Sequence, residues 1–136
     1  MPNKVVVHYL DGKVERGYTT DFQPNKEVFH LVVKDNGEKS ILVKILNLKA
    51  VFFVKKLNGL SKTRFKTKRN FEEIKDKKLI GKKVRVKFTD GEILCGLTLG
   101  YSADRRGFFF TPIDTEGNNE RIFAVLNAVK DITFYE

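Results

Sequence analysis

Apolar and polar positions alternate near the start of the chain and again past its middle. Val5, Val7 and Tyr9 form one such run, and Val84, Val86 and Phe88 form the other. A period of two marks a strand with one face buried. Asp11-Gly12 and Asp90-Gly91 follow, and Asp-Gly between alternating runs predicts a two-residue type I′ hairpin turn, whose central residues need positive φ. That turn would set Tyr9 opposite Val14, Val7 opposite Arg16 and Val5 opposite Tyr18, with Phe88–Ile93, Val86–Cys95 and Val84–Leu97 as the second set. On this register Cys95 is an inward-facing small hydrophobe. Arg16 takes the corresponding slot, its stem on the core and its guanidinium at an acid or carbonyl on the rim. His8 faces outward, opposite Glu15.

The two hairpins belong to a longer repeat. At a shift of 79 residues, 4–33 and 83–112 share eight of thirty positions, including the spacing D-G-x-[VI]-x-x-G-x-T. Glycine in the middle of the second strand (Gly17, Gly96) marks a bend. A third strand follows (Phe29, Leu31, Val33; Phe108, Phe110), then a fourth (Ile41, Val43; Arg121, Phe123). A Leu-Asn link leads to a fifth (Val51, Phe53; Ile132, Phe134). Five strands with a long bent second strand predict an all-β chain of two tandem SH3-like barrels, 1–55 and 83–136. In the connector, 56–82, Asn70-Phe-Glu-Glu has N-cap chemistry and predicts a short helix over Phe71–Lys78.

The helix followed by L-I-G-K-K-V-R-V-K-F-T-D-G-E-x-x-x-G (Leu79 to Gly96) resembles the start of an Sm/LSm domain. The resemblance covers Phe71 to Tyr101 and, more weakly, 4–22. It implies an Sm-like form of the SH3-like barrel. It does not carry over the family's uridine site, because LTLGYSADRRG does not place the expected Asp and Asn pair, and FAVLNAVKDI lacks the Arg-Gly. The paired layout is also similar to an uncharacterised bacterial two-repeat family.

Charge sharpens the picture. The net charge is +9, yet Lys55 to Lys87 holds fourteen bases against three acids, and the rest of the chain is close to neutral. Lys62, Arg64, Lys66, Lys68 and Arg69, interleaved with Phe65 and Phe71, have the makings of a track for a nucleic-acid backbone, or of a solvated connector. Arg105 and Arg106, near Asn118, Asn119 and Arg121 if each barrel closes, offer donors for a phosphate or carboxylate. Enzyme chemistry is missing from the pattern. The two histidines, His8 and His30, have no nucleophile at motif spacing, and no phosphate-binding loop or zinc-protease motif occurs. One cysteine excludes an intrachain disulfide and a multi-cysteine metal site. No cofactor or metal is expected. No leader pattern and no apolar run of membrane-spanning length occur, so a cytoplasmic protein without membrane contact is expected.

Strand parity leaves Leu42, Phe52, Val54, Leu94, Phe109 and Ile122 pointing outward. A barrel of about 50 residues has little core. These residues are therefore expected either to bury one another and join the repeats, or to form a partner surface or homo-oligomer interface. The expected function is a non-catalytic interaction or regulatory module acting through protein contacts. The alternative is RNA or single-stranded DNA binding through the basic connector and barrel loops.

Overall fold

The computed structural model describes residues 2–34, 37–59, 81–102, 104–114 and 116–135. The predicted connector helix and Lys62, Arg64, Lys66, Lys68 and Arg69 lie outside them. The described chain is all-β: β1 (Asn3–Tyr9), β2 (Val14–Thr19), β3 (Val28–Lys34), β4 (Glu38–Lys44), β5 (Leu48–Val54), β6 (Lys82–Phe88), β7 (Ile93–Thr98), β8 (Gly107–Pro112), β9 (Asn119–Val125) and β10 (Val129–Tyr135). The Leu-Asn links are single 3₁₀ turns, Ile45–Asn47 and Leu126–Ala128. All ten strands join one open antiparallel sheet in the order β10-β6-β7-β8-β9-β5-β1-β2-β3-β4. The order within each half is the same. No pairing among the described residues closes either half on itself; β5 of the first half pairs instead with β9 of the second.

The hairpin register differs from expectation by one residue. The Tyr9 amide donates to the Lys13 carbonyl at 2.9 Å, and the Gly12 amide to the Tyr9 carbonyl at 3.1 Å. This is a three-residue loop closed by Gly12, with φ 94°, in the manner of a type I turn followed by a bulge. Phe88, Glu92 and Gly91 repeat it. The extra loop residue turns every β2 and β7 side chain to the other face, as a one-residue slip must. His8 therefore opposes Val14, not Glu15, and Val6, not Val7, opposes Arg16. Arg16 is exposed, its Nη1 3.4 Å from the Leu57 carbonyl oxygen. Cys95 opposes Arg85 and lies half-buried on the outer face, while Leu94 opposes Val86 and packs on the core. The mid-strand glycines have a steric reason: a Cβ at Gly17 or Gly96 would collide with the backbone carbonyl of Val32 or Thr111 on the next strand.

Two cores result, and β5 and β9 serve both. Val51 and Phe53 point into the first, with Val5, Val7, Phe29, Leu31 and Val43. Ala50, Phe52 and Val54 point the other way, into the second, with Val84, Val86, Phe88, Phe108 and Phe110. β9 reciprocates. Its Ile122 and Ala124 belong to the second core, and its Phe123 and Val125 to the first, so the inward parity expected for Arg121 and Phe123 is reversed. A strand buried on both faces reads as a near-continuous apolar run, and LKAVFFV (β5) is one.

Candidate binding site at the junction of the repeats

Where β5 meets β9, an aromatic cluster crosses from one half to the other. Phe22, just after β2, sits edge-on to Phe29, Phe53, Phe123 and Phe109, with ring centroids 5.1, 5.5, 5.2 and 6.0 Å away. Such offset rings add about 0.5–1.5 kcal/mol per pair beyond their buried area. Arg121 lies over this cluster, its guanidinium carbon 4.2 Å from the Phe53 centroid and 4.6 Å from that of Phe109. Arg121 makes no ion pair among the described residues.

Arg121, with Phe109 and Phe123 of the cluster, forms one wall of a cleft of about 510 Å³. Its other walls are the β7–β8 loop, which brings Tyr101, Ser102 and Arg105, and Pro24 from the β2–β3 loop. Leu99 stands 84% exposed at its lip. The Ser102 hydroxyl donates to Asp104, and that bond, with one from the Asp104 backbone, holds the Asp104 carboxyl below the usual carboxylate range. The volume suits a side chain or small ligand. The chemistry on offer is a guanidinium over aromatic rings, a second arginine and aromatic faces.

Only part of the predicted anion cluster is brought together. Arg105 and Arg121 share the cleft. Arg106 instead bonds the Asn25 carbonyl at 3.0 Å and Glu27 at 3.4 Å, tying the two long loops together. Asn118 clips the chain entering the connector: its Oδ1 accepts from the Lys56 amide at 3.0 Å and its Nδ2 donates to the Lys56 carbonyl at 2.9 Å. Asn119 is paired with Val54 in the sheet. Of the outward apolar residues, Phe52, Val54 and Ile122 are buried in the second core, Phe109 packs against the first, and Leu42 remains 57% exposed.

A family model described as a family of unknown function (DUF6982) matches residues 1–135. The chain belongs to that family. No curated protein and no solved structure matches it.

The corresponding groove in the first half of this DUF6982 chain has different chemistry. By strand register, His30 stands where Phe109 does, and Ser40 where Arg121 does. His30 Nδ1 lies 2.7 Å from Asp21 Oδ2, and its backbone amide donates to Asp21 Oδ1 at 2.9 Å. Partial burial pushes the Asp21 carboxyl up, but the His30 and Thr19 bonds outweigh it and hold it low. Ser40 lines the same groove but is not hydrogen-bonded to the ring, so no nucleophile–base pair is assembled and Asp21 works as a loop pin. Burial pushes the Cys95 thiol up, away from the thiolate form a nucleophile needs. Among the described residues no three His, Cys, Asp or Glu side chains converge on a metal position, and no helix is long and apolar enough to cross a membrane.

On the opposite side of the junction, sequence reading missed an ion cluster. Lys49 of β5 reaches Asp90 at 2.7 Å and Glu92 at 2.5 Å on the β6–β7 turn, over the Phe88 ring. Burial works against the Lys49 charge, but bonds to the two carboxylates outweigh it and raise its pKa. Only 12% of the Lys49 side chain is exposed. Its position in a strand otherwise buried on both faces was the available signal.

Proposed function

We propose that the protein is a non-catalytic interaction module of two tandem SH3-like, Sm-like barrels that binds a protein partner in the junction cleft. The observation that carries this reading is Arg121, whose guanidinium lies over the Phe53 and Phe109 rings and makes no ion pair among the described residues. A guanidinium backed by aromatic rings is pre-oriented for a carboxylate. Beside it, exposed Leu99 and Tyr101 suit an apolar or aromatic neighbour of that carboxylate. The ligand is therefore a short acidic–aromatic segment of a partner protein.

The test is a backbone-amide NMR titration with peptides pairing Glu or Asp with Phe. Shifts should concentrate at 97–110 and Arg121, and Arg121→Ala should abolish them while leaving the spectrum otherwise folded. The second reading, single-stranded RNA or DNA, is favoured by the excess of bases between Lys55 and Lys87. It predicts shifts with oligouridylate centred on the connector, with affinity falling log-linearly in salt. That outcome, together with silent peptides, would replace the first reading.

A further inference from the structure

The β5–β9 seam has a counterpart at the two free ends of the sheet. β10 occupies in the second half the place of β5 in the first, and β4 the place of β9. Registers fix the equivalence residue by residue: Phe53 opposes Val5 as Phe134 opposes Val84, and Leu42 opposes His30 as Phe123 opposes Phe109. The same registers would set β4 of a second copy of this chain beside β10 as β9 lies beside β5. Repetition of that head-to-tail contact would produce rings or filaments.

The side chains oppose it. In the seam, the face of the first half that covers the second core is Val6, Ala50, Phe52 and Val54, all buried. Three of their equivalents on the free face are Arg85, Asp131 and Thr133, and the fourth, for Val54, is Tyr135. On the other side, Val125, buried in the first core, corresponds to Lys44. The ion cluster changes too. Lys130 corresponds to Lys49, and it would meet Asp11 and Lys13 of the next copy where Lys49 meets Asp90 and Glu92. Lys13 is already paired with Glu15 at 3.0 Å. Phe134 needs no second chain, since Tyr101 packs on it at 5.4 Å and Lys82 lies over it at 5.3 Å.

We infer that the protein terminates its own array: the seam that joins its halves is blocked against a second copy by charged and polar residues at Lys13, Lys44, Arg85, Asp131 and Thr133. Placing these groups in a seam would strand unpaired charge in an apolar layer, and charged edge strands are a known defence against edge-to-edge association. This inference is independent of what the cleft binds.

Sedimentation of the full chain tests it. Wild type should run as one chain at every concentration. One variant opens the β10 end (Arg85→Val, Asp131→Ala, Thr133→Phe), and another opens the β4 end (Lys13→Glu, Lys44→Val). Each alone should stay single, and an equimolar mixture should double in mass. Cysteines placed at Leu42 and Ile132, one per variant, should cross-link only in the mixture. If circular dichroism shows the triple variant unfolded, Arg85→Val with Asp131→Ala replaces it in the mixture. The inference fails if wild type self-associates with a Leu42–Ile132 cross-link, or if folded variants mix without gaining mass. It also fails if they associate without that cross-link.

Discussion

Replacing Phe52 with Ala should destabilise both halves of the protein as one. Phe52 is a first-half residue buried among Val84, Val86, Phe88 and Ile122 of the second half. Its ring, with His8 against it at 4.6 Å, fills the layer between β5 and the second core. Burying a phenylalanine removes about 150–250 Å² from water, worth about 4–6 kcal/mol at about 25 cal/mol per Å². Alanine retains some of that, and the layer collapses partly, so the expected loss is about 3–5 kcal/mol. For a chain of this size each kcal/mol moves the melting temperature by about 4 °C, which predicts a fall of about 12–20 °C. Scanning calorimetry with hydrogen exchange read separately on β1–β3 and β6–β8 is the appropriate assay. Leu42→Ala, at an exposed edge position, is the control and should shift stability by no more than about 0.5 kcal/mol. The reasoning is refuted if Phe52→Ala lowers protection in only one half, or splits the transition in two.

Three further outcomes follow from the same packing. His8 has its pKa lowered by burial and then by the nearby Lys49. The unfolded chain therefore takes up the proton first, so stability should fall as pH drops below about 6.5, the unfolded value, and His8→Gln should flatten the melting-temperature profile between pH 7 and 5. Lys49→Met should cost about 1 kcal/mol, because its carboxylate partners are half exposed; Asp90, held low chiefly by the Lys49 bond, contributes stability above its unfolded pKa and loses it as pH falls, and urea titrations should show that acid limb flattened in the variant. Gly96→Ala puts a Cβ against the Thr111 carbonyl and the Phe110 ring and should cost more than about 2 kcal/mol in urea unfolding, whereas Gly100→Ala opens into free space and should be neutral within about 0.5 kcal/mol.

Strand identity and order of appearance were legible in the sequence because they depend on local alternation and on turn chemistry, which neighbouring residues carry. Val5-x-Val7-x-Tyr9 becomes β1, and its repeat becomes β6. The turn glycines too were visible, but not the loop length around them: Asp-Gly serves both a two-residue and a three-residue hairpin, and the choice turned Arg16, Leu94 and Cys95 to opposite faces. Which strand lies beside β5 is a matter of long-range pairing, and no local signal names β9. The apolar character of both faces of β5 was readable; that Ala50, Phe52 and Val54 cover the core of the other half was not, because burial is a property of what arrives from elsewhere in the chain. The cleft follows the same logic. Arg105 and Arg121 stood out as donors, but the rings that orient Arg121, Phe53 from the first half and Phe109 from the second, converge only when the two repeats share a seam.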